Sequence, residues 1–260
     1  MRISTYAALF FVGLTLALPA MAEIQTKTIE YQDGDTVLEG YLALDPTVSV
    51  NRPGVLVIHE WWGLNDYARS RARQLAELGY VAFAADIYGK GKVTSHPEQA
   101  GEWSGEIMKN LEVGLRRARL GLEQLKAQPG VDTDRLAAIG YCFGGTAVTM
   151  MAYEGFPLRG VVSFHGSLPP APEGRAITTK LLFAHGAADP FVPKERFDAF
   201  IDSLNKAKAD WQIAVYGGTV HSFTNPGADA YGMQGVAYNA EADHRSWALM
   251  QAFFNEIFWQ

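Results

Sequence analysis

Five short stretches of this sequence are apolar almost without interruption: 53–60 (PGVLVIHE), 80–86 (YVAFAAD), 135–142 (RLAAIGYC), 160–166 (GVVSFHG) and 180–186 (KLLFAHG). A strand with one wet face alternates apolar and polar side chains. A continuous apolar, β-branched run is instead the mark of a strand buried on both faces. Between these runs lie stretches of helical spacing: 66–78, closed by Gly79; a long region up to about Lys126; 144–155; 193–208, with Pro193 read at a first-turn position; and 240–259. Strands alternating with helices predict an α/β fold, with a mainly parallel central sheet and helices on both faces. Ahead of them, TKTIEYQDGDTVLEGYLAL has two alternating runs around Asp33-Gly34-Asp35, which reads as an N-terminal β-hairpin. WQIAVYGG at 211–218 adds a further strand.

The chain has 260 residues, enough for one domain with a substantial core. Its formal net charge of -6 argues against a nucleic-acid surface, which needs clustered Lys and Arg. Residues 1–22 join Arg2, an apolar run from Tyr6 to Leu18 and Ala20-Met21-Ala22, the pattern of a cleaved secretory signal. The apolar run is short for a bilayer span. The expectation is a single domain over 23–260, periplasmic or secreted, without a membrane anchor after cleavage, and monomeric. Export puts the chain in an oxidising space. Yet it has one cysteine, Cys142, so no intramolecular disulfide can form.

In parallel sheets, reactive groups collect on loops at the carboxyl ends of strands. His59-Glu60, Asp86 to Tyr88, Cys142, Asp189 and His221 all fall at such ends. Gly140-Tyr141-Cys142-Phe143-Gly144 fits the elbow pattern Gly-x-nucleophile-x-Gly, with Cys where Ser is commoner. The neighbours two residues away must be small for the turn to close. The helix that follows aims free backbone N–H groups at the reacting centre and favours thiolate over thiol. A small buried cysteine is the plainer reading of the motif alone. Asp189 and His221 shift the balance, because the order nucleophile, acid, histidine is that of α/β-hydrolases. In that reading His221 moves the proton and Asp189 orients the imidazole. Phe143 supplies one oxyanion-hole N–H, and a residue after Glu60 supplies the other.

These segments resemble the dienelactone hydrolase family over essentially all of 23–260. The resemblance rests on GVLVIHEWWGLND, ADIYGKG, IGYCFGG, GAADPFVP and HSF. It implies hydrolysis of small esters or lactones through a thioester, without metal or cofactor. It also implies a Cys142–Asp189–His221 triad and oxyanion donors at the Trp61 and Phe143 N–H groups. Glu60 matches a glutamate that meets the resting thiol and moves when substrate binds. Two arginines that grip a substrate carboxylate in the family prototype are here Lys90 and Asn225, so that clamp is weakened or lost. Trp61, Trp62 and Tyr88, with the long connection after His221, suggest an aromatic pocket; packing of the two tryptophans against the first helix is the alternative. The competing functions are a thioesterase or other acyl-transfer enzyme on the same triad, and a non-catalytic ligand-binding protein on this fold.

Other candidates are set aside. His59-Glu60 lacks the second histidine of a zinc helix, since position 63 is Gly. His185 is expected to bond within its loop. His96, His165 and His244 have no sequence partner. Gly89-Lys90-Gly91-Lys92 lacks phosphate-loop spacing. Arg116, Arg117 and Arg119 read as a solvated helix face.

Overall fold

The structure, a computed structural model, describes residues 23–48 and 51–259. The expected signal segment, 1–22, lies outside them. The described residues form an eight-stranded sheet and six α-helices. In chain order these are β1 (Gln25–Asp33), β2 (Thr36–Leu44), β3 (Arg52–Ile58), α1 (Asp66–Glu77), β4 (Val81–Ala85), α2 (Pro97–Lys109), α3 (Leu111–Lys126), β5 (Val131–Tyr141), α4 (Phe143–Tyr153), β6 (Gly160–Phe164), β7 (Lys180–Gly186), α5 (Lys194–Lys206), β8 (Trp211–Tyr216) and α6 (Ala240–Trp259). None of these helices is long and apolar enough to cross a membrane.

The sheet order is β1-β2-β4-β3-β5-β6-β7-β8. The hairpin strands β1 and β2 are antiparallel, and β2 runs antiparallel to β4; every other pairing is parallel. All seven residues of β3 and all five of β4 and of β6 are buried. Pleating sends alternate side chains to opposite faces. Val55 and Val57 join the core under α1 and α6, while Leu56 and Ile58 join the core under α2, α3, α4 and α5.

Three boundaries differ from the sequence reading. The long helical region is two helices, broken at Asn110 with φ -123° and ψ 67°. Strand β5 begins at Val131, before the apolar run, because its polar start pairs with Arg52 and Pro53 across an irregularity. Pro193 caps α5 from outside, at φ -58° and ψ 154°.

Register decides what the carboxyl edge of the sheet presents. Ile58 lies opposite Gly140, and Tyr141 opposite Phe164. Continued past the strand ends, this sets Glu60, Cys142 and His165 at one level. The chain leaves β3 toward one side of the sheet and leaves β5 toward the other, so this level is also the switch point where such sheets bind ligands.

Candidate active site

Cys142 stands between β5 and α4 with φ 53° and ψ -115°. A non-glycine residue held there stores about 1–3 kcal/mol of backbone strain. The glycines around it are small for a measurable reason. A Cβ on Gly140 would lie 2.0 Å from the Gly144 carbonyl oxygen, and one on Gly144 would lie 2.2 Å from that of Ile58. The turn therefore closes only with hydrogen at both positions. Phe143 is the first residue of α4, so its N–H has no acceptor within the helix. The Trp61 N–H, just past β3, has no acceptor among the described residues.

His221 and Asp189 meet in the turns after β8 and β7. The imidazole Nδ1–H donates to Asp189 Oδ2 at 2.8 Å, and the Asp189 carboxylate is fully buried. That leaves Nε2 for the Cys142 side chain, which lines the same cavity and lies close enough to act on the ring. Burial opposes the imidazolium. The charges of Cys142 and Asp189 and the hydrogen bond to Asp189 outweigh it, and the His221 pKa is pushed up to about 10. Phe191 packs edge-on against the ring at 5.1 Å. Its backbone N–H donates to Asp189 Oδ1 at 2.9 Å, which fixes the carboxylate.

Glu60 is level with Cys142 but engaged elsewhere. Ser222 Oγ donates to its Oε1 at 2.9 Å and Asn225 Nδ2 to its Oε2 at 2.6 Å. Burial raises the Glu60 pKa, and the two hydrogen bonds partly counter that.

The other expected site residues fall in different places. Trp61 and Trp62 line a cavity of about 340 Å³ in front of Cys142. Trp62 is also stacked on Tyr231 at 4.0 Å, within a 3-10 turn, Ala228–Tyr231, of the long connection. Tyr88 is buried behind the cavity wall, among His59, Trp103 and Phe143. Burial, then the charge of Cys142, hold its hydroxyl well above the usual tyrosine range. Lys90 does not reach the cavity. Its ammonium pairs with Glu30 and Glu39 on the hairpin, so the substrate-binding place considered for it is not where the structure puts it, in keeping with a weakened or lost clamp. Asn225 belongs to Glu60 rather than to the cavity lining.

Three dismissed groups have contacts the sequence did not reveal. His165 is fully buried, and its Nδ1 accepts the Cys142 N–H at 3.0 Å while Nε2 bonds Thr224 Oγ1 at 2.8 Å. Burial holds its pKa well below the usual histidine value, so it is neutral. Arg116 and Arg119 are exposed, as a solvated face would be, but Arg116 and Arg117 also clamp Asp33, and Arg117 donates to the Ile87 and Tyr88 carbonyls. His185 is buried, and its Nδ1 has no hydrogen-bond partner among the described residues, so the loop bond expected of it is not seen there.

Sheet order, elbow and the edge of strand ends define an α/β-hydrolase. The profile of the dienelactone hydrolase family matches residues 38–258, and the chain belongs to that family. The solved structure called m3DLH is 43% identical, with TM-score 0.86, covering 90% of this chain and 99% of its own. A dienelactone hydrolase-like promiscuous phosphotriesterase from metagenomic libraries, P91, is 41% identical at the same TM-score and the same coverage of both chains. A protein of Aquifex aeolicus, assigned as a carboxymethylenebutenolidase, is 28% identical over 87% of this chain and 96% of its own. The chain is a hydrolase of the dienelactone hydrolase type.

Proposed function

We propose that the chain hydrolyses carboxylic esters or lactones through a thioester on Cys142. The observation that carries this is the line Asp189–His221–Cys142: a 2.8 Å bond on one side of the imidazole and the sulfur on the other. The thiol proton passes to His221, whose raised pKa keeps it there as the imidazolium. The sulfur adds to the acyl carbon, and the oxygen that gains the electron pair is met by the Trp61 and Phe143 N–H groups. Donors so placed typically contribute ~3–4 kcal/mol to the transition state. The tetrahedral adduct then expels the alkoxide, which leaves as alcohol with the proton from His221. Water adds to the thioester while His221 takes its proton. Collapse releases the acid and returns the proton to the sulfur. Asp189 orients the ring and stabilises its charged form throughout.

Glu60 has a second role in this reading. Turned toward Ser222 and Asn225, it leaves the sulfur to the imidazole. Turned toward the sulfur, its carboxylate would disfavour the thiolate between turnovers and slow oxidation. Glu60→Gln then speeds Cys142 alkylation and peroxide inactivation; unchanged rates remove the role. We also place the mature protein outside the cytoplasm, in the periplasm or beyond. Fractionation of cells expressing the full chain, with mass spectrometry for a mature N-terminus at Glu23, tests that placement.

The catalytic reading is tested with small alkyl and chromogenic esters and a dienelactone-type lactone. Cys142→Ala and His221→Ala should each lose at least about 10³-fold in kcat. Full turnover by either variant sinks the mechanism, and no turnover of any substrate by the parent protein favours a binding role.

A further inference from the structure

The cavity in front of Cys142 has a wall made by one face of α2. Gly101, Ser104, Gly105 and Met108 all line it, at the spacing that puts residues on one side of a helix. Met233 and Val236, from the connection after His221, line it as well. No Lys or Arg side chain is among the lining residues. Its titratable groups are Cys142 and His221, which are engaged with each other. The nearby cations do not line it, and exposed Arg196 is tied to the Phe191 carbonyl. Lys90 holds two glutamates on the hairpin, Arg71 is buried against Asp243, and Lys92 and Arg117 line a separate recess with Tyr88 and Trp103. The Glu60 carboxylate lies directly behind Ser222, which lines the cavity. An anionic group entering here would shed its water and meet no lysine or arginine in the lining, and the one cation there, the His221 imidazolium, is already engaged with Asp189 and Cys142.

We propose that this site takes uncharged esters or lactones whose apolar group lies along the Gly101–Ser104–Gly105–Met108 face of α2, and that it discriminates against substrates carrying a carboxylate. This rests on the hydrolytic reading above and names its substrate class. Gly105 is the position that sets the depth of the apolar site. A Cβ built on it meets nothing within 4 Å, whereas one on Gly101 already approaches the Trp61 ring at 3.8 Å. A larger side chain at 105 therefore enters the cavity rather than the protein core.

The test compares 4-nitrophenyl butanoate with 4-nitrophenyl hydrogen succinate, which differ mainly by a carboxylate. The expected kcat/KM is lower for the succinate by at least about 100-fold. Along acetate, butanoate and hexanoate it should rise by up to about fourfold per methylene. In Gly105→Leu the hexanoate-to-acetate ratio should fall at least ~10-fold. That ratio does not depend on how much of the protein is active. The thermal midpoint should not drop, since Leu is the better helix former. Met108→Ala, which widens the same face, should raise the ratio and serves if the leucine variant fails to fold. Equal rates on butanoate and succinate, or a ratio that neither variant moves, overturn the proposal and leave the hydrolytic reading standing. Absence of turnover in the parent protein, or full turnover in Cys142→Ala, overturns the hydrolytic reading itself.

Discussion

At the scale of single residues, the site depends on what has been left out as much as on what is present. Gly144 has no room for a methyl group, because a Cβ would sit 2.2 Å from the Ile58 oxygen and 2.6 Å from that of His59. Gly144→Ala should lose about 1–3 kcal/mol by overpacking, although Ala favours the helix, and should push α4 away from the end of β3. Urea unfolding and kcat report the two effects, and kcat should fall even where the variant is fully folded. His221 gives a prediction whose sign is fixed by its partners. Its pKa is raised to about 10, so the imidazolium persists through neutral pH and is lost only as pH climbs through that value. The imidazolium is the acid that protonates a leaving alkoxide. For an alkyl ester, kcat/KM should therefore hold through mildly alkaline pH and decline near 10. On the proposed thioester route, deacylation starts from an acylated sulfur that carries no charge, so the largest support for the imidazolium is gone. The acid limb of a deacylation-limited kcat should then lie well below the alkaline limb of kcat/KM. An alkaline limb of kcat/KM in the neutral range would contradict the Asp189–His221–Cys142 coupling.

At the scale of elements, the N-terminal hairpin is fastened to the site through Asp33. Arg117 bonds Asp33 at 2.9 Å and the Ile87 and Tyr88 carbonyls at 2.9 and 3.0 Å, directly behind the Phe143 wall. Arg117→Ala should lose about 2–3 kcal/mol, as charged hydrogen bonds of this kind are removed. The denaturation midpoint should fall with an unchanged m-value. The Arg116 hydrogen bond, against a smaller desolvation effect, and then the Arg117 bond lower the Asp33 pKa. The carboxylate's contribution is therefore present above the ordinary Asp value of ~3.9 and fades as pH falls through the lower folded value. Asp33→Asn should differ from the parent near neutral pH and converge with it in strong acid. The hairpin, the uniformly buried strands and most helices were legible in the sequence because they rest on local periodicity. The break at Asn110 was not, because apolar spacing continues on either side, while α3 packs against the sheet and α2 turns onto α3 and the cavity. The clamp on Asp33 was not legible either, since its partners lie 83 and 84 residues away.

At the scale of the whole molecule, the fold brings six strand ends to one edge, and that edge is where sequence reasoning succeeded and stopped. Cys142, Asp189 and His221 could be named because each follows a recognisable strand in a recognisable order. Their support could not. His165 reaches Thr224 across 59 residues, and Arg71 reaches the Thr224 carbonyl across 153. Through Thr224, Arg71 and its partner Asp243 hold the segment that supplies Ser222 and Asn225 to Glu60. No local pattern announces such a chain of contacts. At Lys90 the sequence showed that the carboxylate clamp is weakened or lost, but not that the hairpin glutamates hold the ammonium. In the proposed mechanism Cys142 carries the acyl group. Rapid acid quench of the protein during turnover of an activated ester, followed by intact mass and peptide mapping, reads this directly. The expected result is a mass gain of one acyl group, located on Cys142, removed by hydroxylamine and absent in Cys142→Ala. An acyl group on any other residue, or unimpaired turnover by Cys142→Ala, would contradict it.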